Sequence, residues 1–172
     1  MTARRHDGVV PKRSAGLLLY RIIGSRAIEV LIVHPGGPFW AKKDAGAWSI
    51  PKGEYEEGDD ARAAAFREFR EEIGQDAPAG GTIPLGELTQ PGGKRVTAWA
   101  VEGHLDVTHS TSNTFELEWP RGSGRLRAFP EVDRVEWVPV ARARTQLLKG
   151  QVPFLDRLIE QVENRQSDVR PE

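Results

Sequence analysis

The sequence contains no cysteine, and this absence excludes disulfide bonds, thiolate zinc sites, iron–sulfur clusters and a cysteine nucleophile. We therefore expect a protein of a reducing compartment, with a cytoplasmic location. An excess of charge of one sign is also lacking, because 24 Lys and Arg residues face 25 Asp and Glu residues and leave a net charge of −1. Proteins that bind nucleic acid through its phosphates usually carry excess positive charge, so no nucleic-acid partner is expected.

Long hydrophobic runs are missing as well. No stretch approaches the ~20 apolar residues of a membrane span, and residues 1–14 are basic and polar, without the apolar core of a signal peptide. Neither a membrane partner nor export is therefore expected. The length of 172 residues fits one domain. We predict a basic lead-in over 1–13, a single domain over 14–165 and a C-terminal tail over 166–172, and leave the oligomeric state open.

Short apolar runs alternate with helical patterns along this domain. Alternation and apolar composition predict strands at 14–20, 28–34, 83–89, 95–101, 105–108 and 133–138, the first two joined as a hairpin. Helices are predicted at 59–73, 141–148 and 153–164, and residues 110–127 should be partly loop. This order of strands and helices indicates an α/β fold in which helices cover a mixed sheet.

The helix predicted at 59–73 carries acidic residues beside its apolar face. Glu68, Glu71 and Glu72 share a sector about 100° wide that borders the apolar stripe. Like charges so placed repel one another, and a cation would offset that repulsion. Because the cluster offers oxygen without His or Cys, it suits Mg²⁺ first and Mn²⁺ second. Taken alone, such a pattern is more often a solvated charged face.

The segment in front of the helix adds a second signal. Gly53 begins a predicted loop that runs to Gly58, and Lys52 directly before it can meet a phosphate. The whole stretch resembles the box of Nudix (MutT-like) hydrolases, whose pattern is Gly, five residues, Glu, seven residues, then Arg-Glu-apolar-any-Glu-Glu-any-Gly-apolar. Here the box reads Gly53, then position 59, then REFREEIGQ at 67–75. Asp59 and Gln75 depart from the pattern, and neither departure removes a metal ligand.

The resemblance extends beyond the box. Residues 48–53, WSIPKG, are similar to the WxxPKG lead-in of Nudix enzymes that act on diadenosine polyphosphates and on diphosphoinositol polyphosphates. The similarity covers residues 14–148. It implies a Nudix-like α/β/α sandwich with a mixed central sheet and a catalytic loop and helix.

The resemblance also implies roles for residues of the box. The carbonyl of Gly53 and the carboxylates of Glu68, Glu71 and Glu72 should hold Mg²⁺, or Mn²⁺ in its place, and Arg67 should orient a neighbouring Glu. Phosphoanhydride hydrolysis also needs a general base to take the proton of the attacking water. Two candidates remain open, Glu68 in the box and Glu131 on a distant loop, while Glu116 and Glu118 are weaker alternatives.

Cationic and aromatic residues around the box are candidates for substrate contacts. Lys42, Lys43 and Lys52 flank the box, and Arg125 lies in a Gly-rich loop before Glu131 with Arg121 and Arg127. Arg binds phosphate bidentately and Lys as a point charge, but loop charges often serve solubility alone. Four aromatic residues are candidates for stacking on a base, although simple packing is the more common role: Trp40, Trp48, Phe115 and Trp119.

These observations predict an Mg²⁺-dependent pyrophosphohydrolase for a small nucleoside polyphosphate, such as a dinucleoside polyphosphate or an NTP. One alternative is a diphosphoinositol polyphosphate hydrolase, which would require a denser basic pocket than a net charge of −1 suggests. The other is a catalytically silent Nudix module that binds a nucleotide. Three intact, mutually repelling carboxylates argue against a silent module.

Overall fold

The computed structural model describes residues 11–169; residues 1–10 of the predicted lead-in and 170–172 of the predicted tail lie outside the described residues. The strands are β1 (Arg13–Ile23), β2 (Ala27–Pro35), β3 (Lys52–Tyr55), β4 (Thr82–Thr89), β5 (Arg95–Glu102), β6 (Thr114–Glu118), β7 (Leu126–Pro130) and β8 (Val132–Pro139). The helices are α1 (Ala61–Ile73), α2 (Val140–Gln146) and α3 (Pro153–Asp168), with one 3₁₀ turn at Lys149–Gln151.

The main sheet is mixed, as the sequence predicts. Its order is β4-β5-β1-β2-β8, and β3 pairs with β1 off this path. The β1–β5 pair is parallel and the other pairs are antiparallel. β2 pairs with the end of β1 from Tyr20 to Ile23, while β3 pairs with its beginning, from Arg13 to Gly16. The long strand β1 therefore carries the Lys52-Gly53 segment at one end of the sheet.

Apolar side chains cover both faces of the sheet. On one face, Leu18, Ile32 and Trp48 pack with Phe154 and Leu158 of α3. The other face has its own apolar cluster, formed with α1. The largest fully buried residues of this second cluster are Leu17, Leu19, Leu31, Phe69 and Ile73. Successive side chains of a central strand point to opposite faces of the sheet, so alternate residues belong to the two clusters. The α/β/α sandwich expected from the sequence is therefore confirmed.

Helix α1 begins at Ala61, two residues after the predicted start at 59, and ends at Ile73 as predicted. The Asp60 carboxylate accepts hydrogen bonds from the N–H groups of Arg62 (2.9 Å) and Ala63 (3.3 Å), which caps the first turn. Gly74 has φ 79° and donates its N–H to the carbonyl of Arg70, which ends the helix. Between these ends, Phe69 and Ile73 are fully buried, so the register of the acidic residues is set by the apolar stripe.

The structure corrects several boundaries. Residues 105–108 do not form a strand, because the Asp106 carboxylate accepts hydrogen bonds from both the N–H (2.9 Å) and the hydroxyl (2.6 Å) of Thr108 and closes a turn. Gly53 lies in β3 rather than at the start of a loop, since β1 provides a pairing edge. The 110–127 region contains β6 and most of a β6–β7 hairpin. The last helix continues to Asp168, four residues past the predicted end.

Within residues 11–169, no helix combines the length and the apolar character that a membrane crossing requires.

Candidate active site

The pairing of β3 with β1 places Lys52 and Gly53 against α1. The backbone N–H of Lys52 donates to the Glu72 carboxylate at 3.2 Å. Gly53 is so close to α1 that a Cβ there would lie 1.9 Å from Oε2 of Glu68 and 2.0 Å from its Cδ. Only glycine leaves room for the Glu68 side chain at this point, which gives a physical reason for the glycine that opens the box.

Arg67 is the cationic neighbour of Glu68. Its Nη2 lies 3.6 Å from Oε1 of Glu68, whose side chain is 17% exposed. Asp59, which departs from the family pattern, has a different partner, because its carboxylate accepts the N–H of Glu56 at 3.2 Å. Asp59, which is one methylene shorter than the Glu of the family pattern, therefore bonds within its own loop, and Arg67 pairs with Glu68.

Glu131 reaches the acidic helix through the backbone of an intervening segment. The N–H of Asn113 donates to the carbonyl of Glu71 at 3.1 Å, and the carbonyl of Asn113 accepts the N–H of Glu131 at 2.8 Å. The carbonyl of Glu131 in turn accepts the N–H of Gly36 at 3.0 Å. These bonds tie Glu131, 59 residues along the chain from Glu72, to the C-terminal half of α1.

The gathered carboxylates change one another's protonation. Burial raises the pKa of Glu72 to about 8; the charges of Glu68 and Glu131 push it in the same direction, while Lys52 opposes them through its ammonium and its backbone N–H. Burial also raises the pKa of Glu68, helped by the charges of Glu71 and Glu131 and opposed by Arg67. The charge of Glu131 is the smallest of the causes for both carboxyls, and its role as a remote base stays a prediction.

Lys52 is the cation inside this cluster. Burial lowers the pKa of its ammonium and the nearby charge of Lys94 lowers it further, whereas Glu72, Glu54 and Glu68 oppose the decrease. Lys94 stands on the β4–β5 turn, and its Nζ lies 3.3 Å from Oε1 of Glu54. Sequence reasoning did not single out Lys94. The only feature of the sequence that could have indicated Lys94 is its position at the end of the turn PGGK, residues 91–94.

As they stand, no three Asp, Glu, His or Cys side chains of residues 11–169 converge closely enough to hold a metal ion. Glu68 is paired with Arg67 and Glu72 accepts the N–H of Lys52, so two of the predicted ligands have partners within the protein. The donor set nevertheless fits a hard cation, because it contains only carboxylate and carbonyl oxygens. Burial drives Glu72 towards its protonated form, and a bound cation would favour the ionised form instead.

Three other residues predicted to contact substrate are Lys42, Lys43 and Arg125. Among the described residues, no hydrogen bond or ion pair joins Lys42, Lys43 or Arg125 to the carboxylates of α1. Lys43 instead lies over the ring of Trp40, with its Nζ 4.9 Å from the ring centroid. Arg125 is exposed beside the β6–β7 turn, where its N–H donates to the hydroxyl of Ser123.

The aromatic residues that were candidates for stacking on a base make packing contacts within the protein. Trp48 is fully buried in the core and donates its indole N–H to Asp44 at 2.8 Å, so it is a packing residue. Phe115 lies beside Phe129 with ring centroids 6.0 Å apart. Trp119 contacts Phe39 edge to face at 5.6 Å, and this pair fastens the β6–β7 hairpin to the loop after β2.

A buried histidine that the sequence did not mark for function holds the loop after β2. His34 is fully buried; its Nδ1 lies 2.7 Å from the Asp133 carboxylate and its Nε2 lies 2.6 Å from the carbonyl of Lys43. Asp133 follows Glu131 by two residues. His34 therefore connects the loop that carries Lys43 to the strand that begins beside Glu131.

Comparison with known proteins shows which group this chain resembles. A family model described as the NUDIX domain matches residues 11–161. The chain is 31% identical over 146 residues to an 8-oxo-(d)GTP phosphatase of Mycolicibacterium smegmatis, an alignment that covers 78% of this chain and 37% of the relative. The chain thus spans little more than a third of that protein's length.

Two solved structures are similar in fold. An Ap4A hydrolase of C. elegans, solved as a binary complex, has a TM-score of 0.57 and 18% identity, and covers 89% of this chain and 98% of its own. A mutT/nudix family protein of Listeria innocua has a TM-score of 0.60 and 16% identity, and covers 91% of this chain and 98% of its own. At such identities the structures establish the fold.

Proposed function

Because the chain belongs to the Nudix family, we propose that it is a pyrophosphohydrolase that cleaves a phosphoanhydride bond of a nucleoside polyphosphate with Mg²⁺ as cofactor. The substrate class is a dinucleoside polyphosphate or an NTP, including oxidised purine NTPs such as the one named for the mycobacterial relative. The observation that carries the proposal is the close packing of Lys52 and Gly53 against Glu72 and Glu68 of α1, with the backbone of Glu131 joined to the same helix through Asn113.

The residues that would hold Mg²⁺, or Mn²⁺, are Glu68, Glu71, Glu72 and the carbonyl of Gly53. When bound, the ion supplies neutralisation of phosphate charge and polarisation of the attacking water. Arg67 keeps Glu68 oriented towards Gly53, and Lys52 contributes a positive charge that faces the phosphates. These residues provide positioning and charge stabilisation, the two largest requirements of phosphoryl transfer.

Of the two candidate bases, we favour Glu131. Glu131 lies between β7 and β8, outside α1, and it would accept the proton of the attacking water while the box carboxylates hold the metal ion. The oxygen of water forms the new bond to phosphorus, the anhydride bond breaks, and the leaving phosphate keeps the electron pair. Glu68 is the alternative acceptor if Glu131 proves dispensable.

The test is hydrolysis by the full chain with Mg²⁺ and, separately, Mn²⁺. The panel contains NTPs, 8-oxo-dGTP, Ap4A, ADP-ribose and a diphosphoinositol polyphosphate, with products separated by chromatography and the attacked phosphorus located with ¹⁸O-labelled water. We expect cleavage of at least one nucleoside polyphosphate. Cleavage of the inositol compound alone would replace the proposed substrate class.

Two variants serve as controls for this assay. Glu72→Gln should abolish most of the activity, and Glu160→Gln, an exposed acid on α3, should not change it. Equal activity in Glu72→Gln and wild type would point to a contaminating hydrolase. Absence of Mg²⁺ or Mn²⁺ binding at millimolar concentration, together with nucleotide binding, would support the silent module.

A further inference from the structure

A register shift in the β2–β8 pair lies opposite His34. His34 pairs with Arg134 of β8, whereas the next residue of β2, Pro35, pairs with Val132. Asp133, between these two partners, therefore has no partner of its own in the ladder. An extra residue of this kind forms a β-bulge, which changes the direction of a side chain. The Asp133 carboxylate thereby reaches Nδ1 of His34, at a distance of 2.7 Å.

Both ring nitrogens of His34 face a hydrogen-bond acceptor. Nε2 lies 2.6 Å from the carbonyl oxygen of Lys43, and Nδ1 lies 2.7 Å from Oδ1 of Asp133. A neutral imidazole has one N–H group, so its other nitrogen would direct a lone pair at one of these oxygens. His34 is fully buried, which excludes solvent as an alternative partner. An imidazolium has two N–H groups and satisfies both acceptors.

The proton shared by this pair belongs on His34 rather than on Asp133. The Asp133 side chain is 32% exposed, and Nε of Arg134 lies 3.8 Å from the same oxygen, Oδ1, that His34 contacts. Solvent and a guanidinium both favour the ionised carboxylate. Burial by itself disfavours an imidazolium, but a hydrogen bond to an ionised carboxylate offsets that cost. The geometry therefore favours a charged His34 beside a charged Asp133.

Three further charged groups lie around the His34 ring. Trp48 contacts the ring edge to face at 5.2 Å, and the guanidinium of Arg134 lies 5.0 Å from the centroid of the same indole. The indole N–H donates to Asp44, and this bond lowers the pKa of Asp44, helped by the charge of Arg134. The Lys43 ammonium lies over a tryptophan ring in the loop after β2. Asp44 thus offsets Arg134, and the carboxylate bonded to Nδ1 remains available to the imidazolium.

The two hydrogen bonds of His34 hold the segment that contains Glu131. The bond to the Lys43 carbonyl joins the end of residues 36–43, which we call the 36–43 loop, to the strand from which that loop starts. At its other end, the N–H of Gly36 donates to the carbonyl of Glu131 at 3.0 Å. Asp133, the second partner of His34, follows Glu131 by two residues. His34 therefore fixes the 36–43 loop and the Glu131 segment relative to β2.

We propose that His34 is a positioning residue of the candidate active site: protonated on both ring nitrogens, it bonds Asp133 and the Lys43 carbonyl and so fixes the segment that contains Glu131. The expected effect on hydrolysis rests on the proposed function, whereas the protonation of His34 is independent of it. Small displacements of a reacting group reduce turnover strongly. Loss of the imidazolium should therefore lower kcat, although His34 itself does not contact the acidic cluster.

The protonation is measured by NMR spectroscopy of the full chain labelled with ¹⁵N-histidine, at pH 7. Long-range ¹H–¹⁵N correlations distinguish an imidazolium from either neutral tautomer, and the His34 signals are those absent from His34→Gln. If that variant does not fold, replacing the three other histidines one at a time assigns His34 by elimination. We expect protons on both nitrogens in wild type and on Nε2 alone in Asp133→Asn. A single protonated nitrogen in wild type overturns the proposal.

Turnover with Mg²⁺, on the best substrate of the panel, tests the positioning. His34→Gln should lower kcat roughly tenfold and leave KM and Mg²⁺ affinity within about twofold. Asp133→Asn, which keeps the shape and removes the charge, should lower kcat at least threefold. His104→Gln is the matched control, because His104 is exposed and contacts Arg21 instead. A kcat within twofold of wild type in both His34→Gln and Asp133→Asn overturns the proposal, as does an equal loss in His104→Gln.

Amide hydrogen exchange separates this inference from the proposed function. If the wild type hydrolyses nothing on the panel, the proposed function fails, and the role of His34 is then tested without substrate. The Gly36 N–H, which is bonded to the Glu131 carbonyl, should exchange faster in Asp133→Asn than in wild type. The Gly74 N–H, bonded to Arg70 at the end of α1, should not change. Equal exchange at Gly36 in variant and wild type rejects the positioning role whatever the enzymatic activity.

Discussion

Replacing Glu72 by Gln should stabilise the metal-free protein while it removes activity. An unfolded Glu has a pKa of 4.5, and burial raises the value for Glu72 in the folded state to about 8. The folded protein therefore binds this proton more tightly than the unfolded chain. The stability that the proton provides is complete below pH 4.5 and is lost as the pH rises to 8.

The magnitude follows from the two pKa values. At pH 7 the unfolded carboxyl is about 2.5 units above its pKa and the folded carboxyl is still mostly protonated, so ionisation costs up to about 3 kcal/mol of unfolding free energy. The value of about 8 already includes the attraction of Lys52. Gln is neutral at every pH, and its carbonyl can still accept the N–H of Lys52.

The assay is urea unfolding of wild type and Glu72→Gln in EDTA between pH 4 and pH 8. We expect equal stability near pH 4 and a gap that widens by up to about 1.4 kcal/mol per pH unit, to roughly 3 kcal/mol at pH 7. Glu160→Gln should follow the wild type throughout. A gap that does not depend on pH, or a variant less stable than wild type at pH 7, would refute the reasoning.

Three further predictions concern residues around the cluster. Gly53→Ala should lower turnover by at least tenfold with little loss of stability, since the added Cβ displaces the flexible Glu68 side chain rather than backbone. By contrast, Gly36→Ala should lower Tm, because its Cβ would lie 1.9 Å from the backbone carbonyl oxygen of Pro130. Glu131→Gln should lower turnover by orders of magnitude and leave Mg²⁺ affinity nearly unchanged. If turnover stays within about threefold of wild type, which corresponds to under 1 kcal/mol of activation barrier, Glu68 is the base instead. Phe69→Ala should cost about 3–5 kcal/mol by urea unfolding, because the ring is fully buried.

Local spacing was enough to predict the acidic helix. The absence of Pro and Gly between 59 and 73 predicted the helix, although its first turn begins two residues later, after the Asp60 cap; the apolar stripe fixes which side faces the sheet. Glu68 and Glu72 follow from that orientation, because residues four apart lie on one face of any helix. The same reasoning failed for residues 105–108, where a hydrogen-bonded turn at Asp106 competes with extended structure and apolar alternation carries no information about it.

Tertiary structure alone decided which distant residues join the helix. The sequence offered Glu131, Glu116 and Glu118 as remote acids, and the backbone bonds through Asn113 bring Glu131 to α1. Lys94 reaches Glu54 of β3 because β3 and β5 both pair with the beginning of β1. Electrostatic interactions and burial depend on distance in space, which residue types and spacing along the chain do not contain. For that reason the sequence determined which residues of the box are expected to bind a metal ion. The fold determined how the pKa values of Glu68 and Glu72 shift and which lysines lie near them.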